Sequence, residues 1–201
     1  MGVPVLVLGA SGSGKSTSMR NFKPDEIGIF NVAGKPLPFR AKLPKADNAT
    51  YATIYKGLEE PKLKTYVIDD SQYLMAFESF DHAKETGYGK FTNMALNFKN
   101  LISYVIKNTP DDVIVYFLHH TELTEDGKLK AKTLGKMLDN QLTVEGLFSI
   151  VLLAQVEGSE HFFITNSDGT NPAKSPMDMF DLKIENDLKM VDTTIREYYE
   201  L

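Results

Sequence analysis

A chain of 201 residues with a hydrophobic fraction of 42% is long enough for one domain with a real core, and its 12 Phe and 9 Tyr supply bulk to fill it. It contains no cysteine, which excludes disulfides and thiolate metal sites and fits a reducing compartment. The net charge of −5 argues against blanket attraction to nucleic acid, while leaving room for a local basic groove. No run approaches the length of a membrane-spanning helix, and the N-terminus lacks a basic start followed by a long apolar segment. The expectation is a soluble, cytoplasmic protein without a signal peptide and with no membrane partner.

The first element is an apolar run at residues 3–8, which reads as a buried strand. It leads into Gly9-Ala10-Ser11-Gly12-Ser13-Gly14-Lys15-Ser16-Thr17. Two glycines separated by four residues, then Lys and Ser, form the P-loop pattern, and the preceding strand is the context that pattern requires. The glycines let the backbone curl so that several N–H groups face a phosphate, and a following helix at 16–22 would add its positive end. Residues Ser11 to Thr17 are therefore the expected nucleotide cradle. Lys15 would reach the β- and γ-phosphates, and the Ser16 hydroxyl would bind Mg²⁺.

A second strand is expected at 27–32. Residues 34–65 are broken by Pro36, Pro38, Pro44 and Pro61 and read as a long excursion with one short helix near 51–58. A third strand, Tyr66-Val67-Ile68, ends on Asp69-Asp70. An acid at the C-terminal end of an apolar strand can hold the Mg²⁺ water shell beside Ser16, and Asp69 is the first choice. Asp70 is a candidate for orienting or deprotonating water; alternatively it caps a helix beginning at Ser71.

A helix is expected at 93–107, with Met94, Leu96, Phe98, Leu101, Ile102, Val105 and Ile106 as its apolar stripe. The strand at 113–118 runs into His119-His120-Thr121-Glu122. In open α/β sheets ligands sit outside the carboxyl ends of strands, so a residue here can meet phosphate or water, with His119 favoured. Glu125-Asp126-Gly127 signals a hairpin turn. Beyond it Lys128, Lys130 and Lys132 alternate along a strand, and Lys136 follows. They form either a DNA phosphate-contact surface or an edge strand protected by lysines. A short helix at 140–148, strands at 150–154 and 161–165, and a terminal helix within 184–199 complete the pattern. Leu188, Val191, Ile195 and Tyr198 share one face of that last helix. Lys174, in a loop after the last strand, is a candidate to reach a neighbouring subunit's nucleotide; otherwise it is a surface lysine.

Alternating strands and helices predict an α/β sandwich with a mostly parallel central sheet, flanking helices and right-handed crossovers. A single domain is expected over 1–201, with a short C-terminal extension from about 166. No Asn-Lys-x-Asp guanine signature is present, so ATP or ADP is favoured.

The P-loop spacing, Val67-Ile68-Asp69-Asp70, His119-His120-Thr121-Glu122, Lys174-Ser175-Pro176, Asn186-Asp187-Leu188 and Ile195-Arg196-Glu197-Tyr198-Tyr199 together resemble small bacteriophage P-loop nucleotide-binding proteins. These are AAA-family ATPases with a RecA-like core, related to phage single-strand DNA annealing ATPases. The resemblance implies a RecA-like P-loop NTPase with Mg²⁺-dependent ATP hydrolysis on single-stranded DNA in phage recombination or replication. It further implies a homo-oligomer, a single-strand binding protein as partner, and the host cytoplasm as location. One departure stands out: where RecA-type ATPases carry a catalytic Glu, this chain has Phe30-Asn31-Val32-Ala33-Gly34-Lys35, without an acid. Two other readings compete. One is a nucleotide-dependent switch or assembly factor with little turnover. The other is a nucleoside or nucleotide kinase, which the scarcity of arginines (Arg20, Arg40 and Arg196) disfavours.

Overall fold

The computed structural model describes residues 1–84, 89–134 and 142–201. Nine strands among them form one sheet: β1 (Val3–Gly9), β2 (Ile27–Asn31), β3 (Lys45–Asp47), β4 (Thr65–Asp69), β5 (Ile114–Leu123), β6 (Leu129–Ala131), β7 (Ile150–Glu157), β8 (Glu160–Ile164) and β9 (Lys183–Glu185). The order across the sheet is β3-β2-β4-β5-β1-β7-β8-β9, with β6 attached to β5. β3 through β7 in this order are mutually parallel, and β8 and β9 return antiparallel. The fold is α/β with a mostly parallel sheet. Among the described residues the α-helices are α1 (Tyr51–Glu59), α2 (Gln72–Asp81), α3 (Gly89–Asn108) and α4 (Leu188–Tyr199).

The central strands are apolar on both sides because both faces of the sheet are covered. Alternation along each strand splits the core in two. Leu6, Leu8, Ile68, Phe117 and Leu153 face α1, α2 and α3, where they meet Ile54, Met75, Phe98 and Ile102. Val5, Val7, Val67, Tyr116 and Leu152 face the other way, toward Met19, Phe22, Leu188, Val191 and Ile195. Burying a side chain of this size stabilises the fold by about 2 kcal/mol relative to leaving it exposed.

Met179 and α4, among the residues expected to form a C-terminal extension, pack on this second face, whereas Ala173 packs on the first. α4 starts at Asp187, whose carboxylate accepts from the Lys189 and Met190 backbone N–H groups at 2.9 and 3.4 Å. Leu188, Val191 and Ile195 are wholly buried, whereas Tyr198 is exposed. The opposite end of the sheet is tied to the same helix. Asp192 accepts from Tyr116 Oη at 3.2 Å, Thr65 Oγ1 at 3.0 Å and Arg196 Nε at 2.7 Å. Arg196 also donates to the carbonyls of Asp112 and Lys64, each at 2.8 Å.

Several expected elements take a different form. The segment after the glycine loop is a six-residue 3₁₀ helix, Ser16–Asn21. Ser18 Oγ donates to the Lys15 carbonyl at 2.5 Å, a side-chain competition with the backbone that disfavours a regular α-helix. So short a helix carries little dipole. In the expected helix at 140–148, residues 140 and 141 lie outside the described residues, and Val144–Leu147 is a 3₁₀ turn. Leu96 is exposed, off the buried stripe of α3. Among the described residues no helix is long and apolar enough to cross a membrane.

Candidate functional site

Parallel pairing aligns the carboxyl ends of three strands. Register places Gly9 of β1 opposite His120 of β5, and Asp69 of β4 opposite Asn31 of β2. β5 stands between β1 and β4. The loop leaving β1 and the acids leaving β4 therefore face each other across the end of β5, where a ligand of an open α/β sheet belongs.

The loop is shaped by Gly12 and Gly14, with φ of 80° and 94°, values that side chains other than glycine adopt with strain. A Cβ on Gly14 would lie 2.8 Å from His161 Nδ1, so any larger residue would also have to displace that ring. Lys15 is nearly buried and folds back along the loop, donating to the Gly9 and Ala10 carbonyls at 2.8 Å each. Burial pulls its ammonium down to about 8, against the attraction of Asp70 and Asp69.

Ser16 Oγ donates to Asp69 Oδ1 at 2.8 Å. Burial pushes the Asp69 carboxyl up to about 6, with the Ser16 hydrogen bond opposing. A buried carboxylate joined to a hydroxyl beside a lysine-bearing loop is a donor set suited to a hard divalent cation such as Mg²⁺. The expected pairing of Ser16 with Asp69 is thus present as a direct contact.

Asp70 takes the left-handed conformation at φ 60°, which turns its carboxylate out of the strand direction into the cleft. Lys35 Nζ donates to Oδ2 at 2.8 Å and His120 Nε2 to Oδ1 at 3.2 Å. Burial, the largest single influence, would raise this carboxyl, but these two hydrogen bonds together with the electrostatic attraction of the same two partners outweigh it and hold it at about 2. With both oxygens occupied and so little basicity, Asp70 is poorly suited to take a proton from water in this arrangement. It does not cap α2 with its side chain.

His119 is a correction. β5 does not stop before the histidines; it continues through Leu123, because β6 folds back and pairs with Thr121–Leu123. Alternation then puts His119 on the helix side with Phe117, and His120 on the opposite side, toward the glycine loop. His119 is fully buried, with Nδ1 on Ser71 Oγ at 2.8 Å and Nε2 on the Lys132 carbonyl at 2.7 Å. Burial drives it down to about 4, so it is a neutral packing residue. His120 occupies the cleft in its place.

The expected lysine row is also reshaped. β6 spans only Leu129–Ala131, and two of its lysines meet acids: Lys128 to Asp126 at 3.2 Å and Lys130 to Glu122 at 3.1 Å. The side chain of Lys132 lines a hollow shared with Tyr73, Phe80 and His120. Lys136 lies outside the described residues. Lys174 exchanges two backbone hydrogen bonds with Val151 of β7, at 2.8 and 2.9 Å. Val151 pairs with Leu6, well before the loop, so Lys174 does not join the cleft of its own chain.

Two cleft residues carried no sequence signal. Lys35 follows a turn after β2. His161, on β8, has Nδ1 3.2 Å from the Ser13 carbonyl. The β8–β9 region also fastens the loop's far side, through Arg20 to Glu185 at 3.3 Å and Asn21 to Asp187 at 2.7 Å. Lys15, Ser16, Asp69, Lys35, His120 and His161 line one cleft. No protein-family model matches this chain, and no curated protein matches it.

Proposed function

We propose that this chain binds ATP with Mg²⁺ at the loop of residues 9–17 and hydrolyses it slowly, as a P-loop NTPase of RecA-like form. The single observation that carries the reading is the 2.8 Å contact of Ser16 with Asp69 beside the Lys15 loop. Its geometry supports three tasks. The loop backbone and Lys15 hold the phosphates. Ser16 and Asp69 would hold Mg²⁺, which when bound neutralises phosphate charge. His120, fixed by Asp70, presents its ring to the same cleft. A central parallel strand that ends in the loop, with helices on both sheet faces, supports the RecA-like form.

Single-stranded DNA as the partner rests on the resemblance to phage recombination ATPases, as do a homo-oligomer, a single-strand binding protein and a phage origin. The hairpin supports DNA mainly through Lys132, because Asp126 and Glu122 neutralise its two other described lysines. In an oligomer Lys174 acts on a neighbouring copy's nucleotide.

The engagement of both Asp70 oxygens favours a second reading, a nucleotide-held switch with very little turnover. Steady-state ATP hydrolysis with Mg²⁺, with and without single-stranded DNA, on wild type and Lys15→Ala, separates the two. Turnover that rises with DNA and vanishes in the variant supports the ATPase. Tight binding without turnover in either condition supports the switch.

A further inference from the structure

Lys35 follows the turn after β2, and the turn that presents it is firmly built. Asn31, 2% exposed at the end of β2, donates through Nδ2 to the Lys35 carbonyl at 2.6 Å and to Asp47 Oδ1 at 2.5 Å. Gly34 makes the turn at φ 66°, with Asn48 Oδ1 only 2.4 Å from where a Cβ would stand. The backbone of Lys35 is thereby fixed, while its side chain is 60% exposed and open to the cleft. Its ammonium bonds Asp70 Oδ2 at 2.8 Å and lies 5.2 Å from the centroid of the Tyr73 ring.

An exposed lysine–carboxylate pair is worth little by itself. Here the carboxylate partner is buried and adjoins Asp69, at the metal end of the cleft. In P-loop enzymes the metal bridges the β- and γ-phosphates, so this end is where the terminal phosphate of a triphosphate would lie. That phosphate carries more charge than the Asp70 carboxylate and competes with it for the same ammonium. On the reading that the cleft binds a Mg²⁺-nucleotide, we propose that Lys35 is the triphosphate sensor: it leaves Asp70 for the terminal phosphate and returns to Asp70 with a diphosphate. Only its side chain has to move, over a turn that Asn31 and Gly34 keep in place. The arrangement makes Asp70 a docking point for Lys35 and gives the chain a cis cation in a site that brings no arginine of its own among the cleft residues named above.

The test is calorimetric titration with Mg-ADP and with the slowly hydrolysed Mg-ATPγS, on wild type, Lys35→Ala, Lys35→Arg and Lys15→Ala. Lys35→Ala should keep its affinity for ADP, which also shows that it is folded, and lose about tenfold in affinity for ATPγS, the scale of one charge-assisted contact. Lys35→Arg should retain most of the preference for triphosphate. Equal loss for both nucleotides, or loss for neither, overturns the sensor and leaves the cleft assignment standing if wild type binds and Lys15→Ala does not. Failure of wild type to bind either nucleotide overturns the cleft assignment, and the sensor with it.

Discussion

Ser16 and Asp69, 53 positions apart in sequence, are joined by a 2.8 Å hydrogen bond from hydroxyl to carboxylate. β1 and β4 are not neighbours in the sheet, so the contact bridges the end of the intervening β5. Ser16 lies just past the loop and Asp69 closes its strand; parallel alignment of the strands does the rest.

If the cleft binds a Mg-nucleotide as proposed, Asp69 and the neighbouring Lys15 set a pH window for that binding. Asp69 is pushed up to about 6 by burial, so it is protonated below that and its hold on Mg²⁺ weakens as pH falls. Lys15 is pulled down to about 8 by burial, so it loses its charge as pH rises past that value and its hold on phosphate weakens. Affinity for Mg-ADP should therefore be greatest between about 6 and about 8. Titrations from pH 5 to 9 check this, and Asp69→Asn should flatten the acid limb while lowering affinity throughout. An affinity that keeps rising from pH 8 to pH 9 is inconsistent with Lys15 as the phosphate ligand.

Gly12 and Gly14 separate strain from collision. Both have positive φ, so alanine at either costs about 1 kcal/mol in backbone conformation. A Cβ at Gly12 meets nothing within 4 Å, whereas at Gly14 it meets His161 and Asn186. Gly14→Ala should lower the thermal midpoint more than Gly12→Ala does. Equal shifts would show that the β8–β9 side does not press on the loop.

Most central strands and the glycine loop after β1 were legible in the sequence, because continuous apolar runs and glycine spacing are local signals. β3 had none: Lys45, Ala46 and Asp47 form an edge strand in which two of the three residues are charged. The exchange of His119 for His120 required the extension of β5, which depends on the return of β6. His161 reaches the loop only through antiparallel pairing of β8 on β7, a contact no nearby motif announces. Lys35 is aimed by Asn31, Gly34 and Asp70 together, residues that reveal their common purpose only when β2 and β4 are paired.

Asp192 joins α4 to the sheet. It is 7% exposed and accepts from Tyr116, Thr65 and Arg196. Asp192→Ala leaves buried donors without an acceptor and should cost about 3 kcal/mol. Chemical denaturation measures this directly. A loss below about 1 kcal/mol, the worth of an exposed pair, would mean that α4 is held by its apolar face alone.

Salt dependence distinguishes the hairpin lysines. If single-stranded DNA binds here, Lys132→Ala should reduce the slope of log affinity against log salt by about 0.7, the value for one phosphate contact on a single strand. Lys128→Ala and Lys130→Ala should change it less, because each already faces a carboxylate. The reverse ranking would make those ion pairs yield to DNA and restore the whole row as the contact surface.

The measurement to make first is calorimetric binding of ADP with Mg²⁺ and with EDTA, on wild type, Lys15→Ala and Asp69→Ala. Wild type should bind with Mg²⁺ and more weakly in EDTA; Lys15→Ala should not bind, and Asp69→Ala should no longer respond to the metal. Undiminished affinity in Lys15→Ala, or wild-type binding indifferent to Mg²⁺, would mean that the Ser16–Asp69 contact is not a nucleotide–metal site.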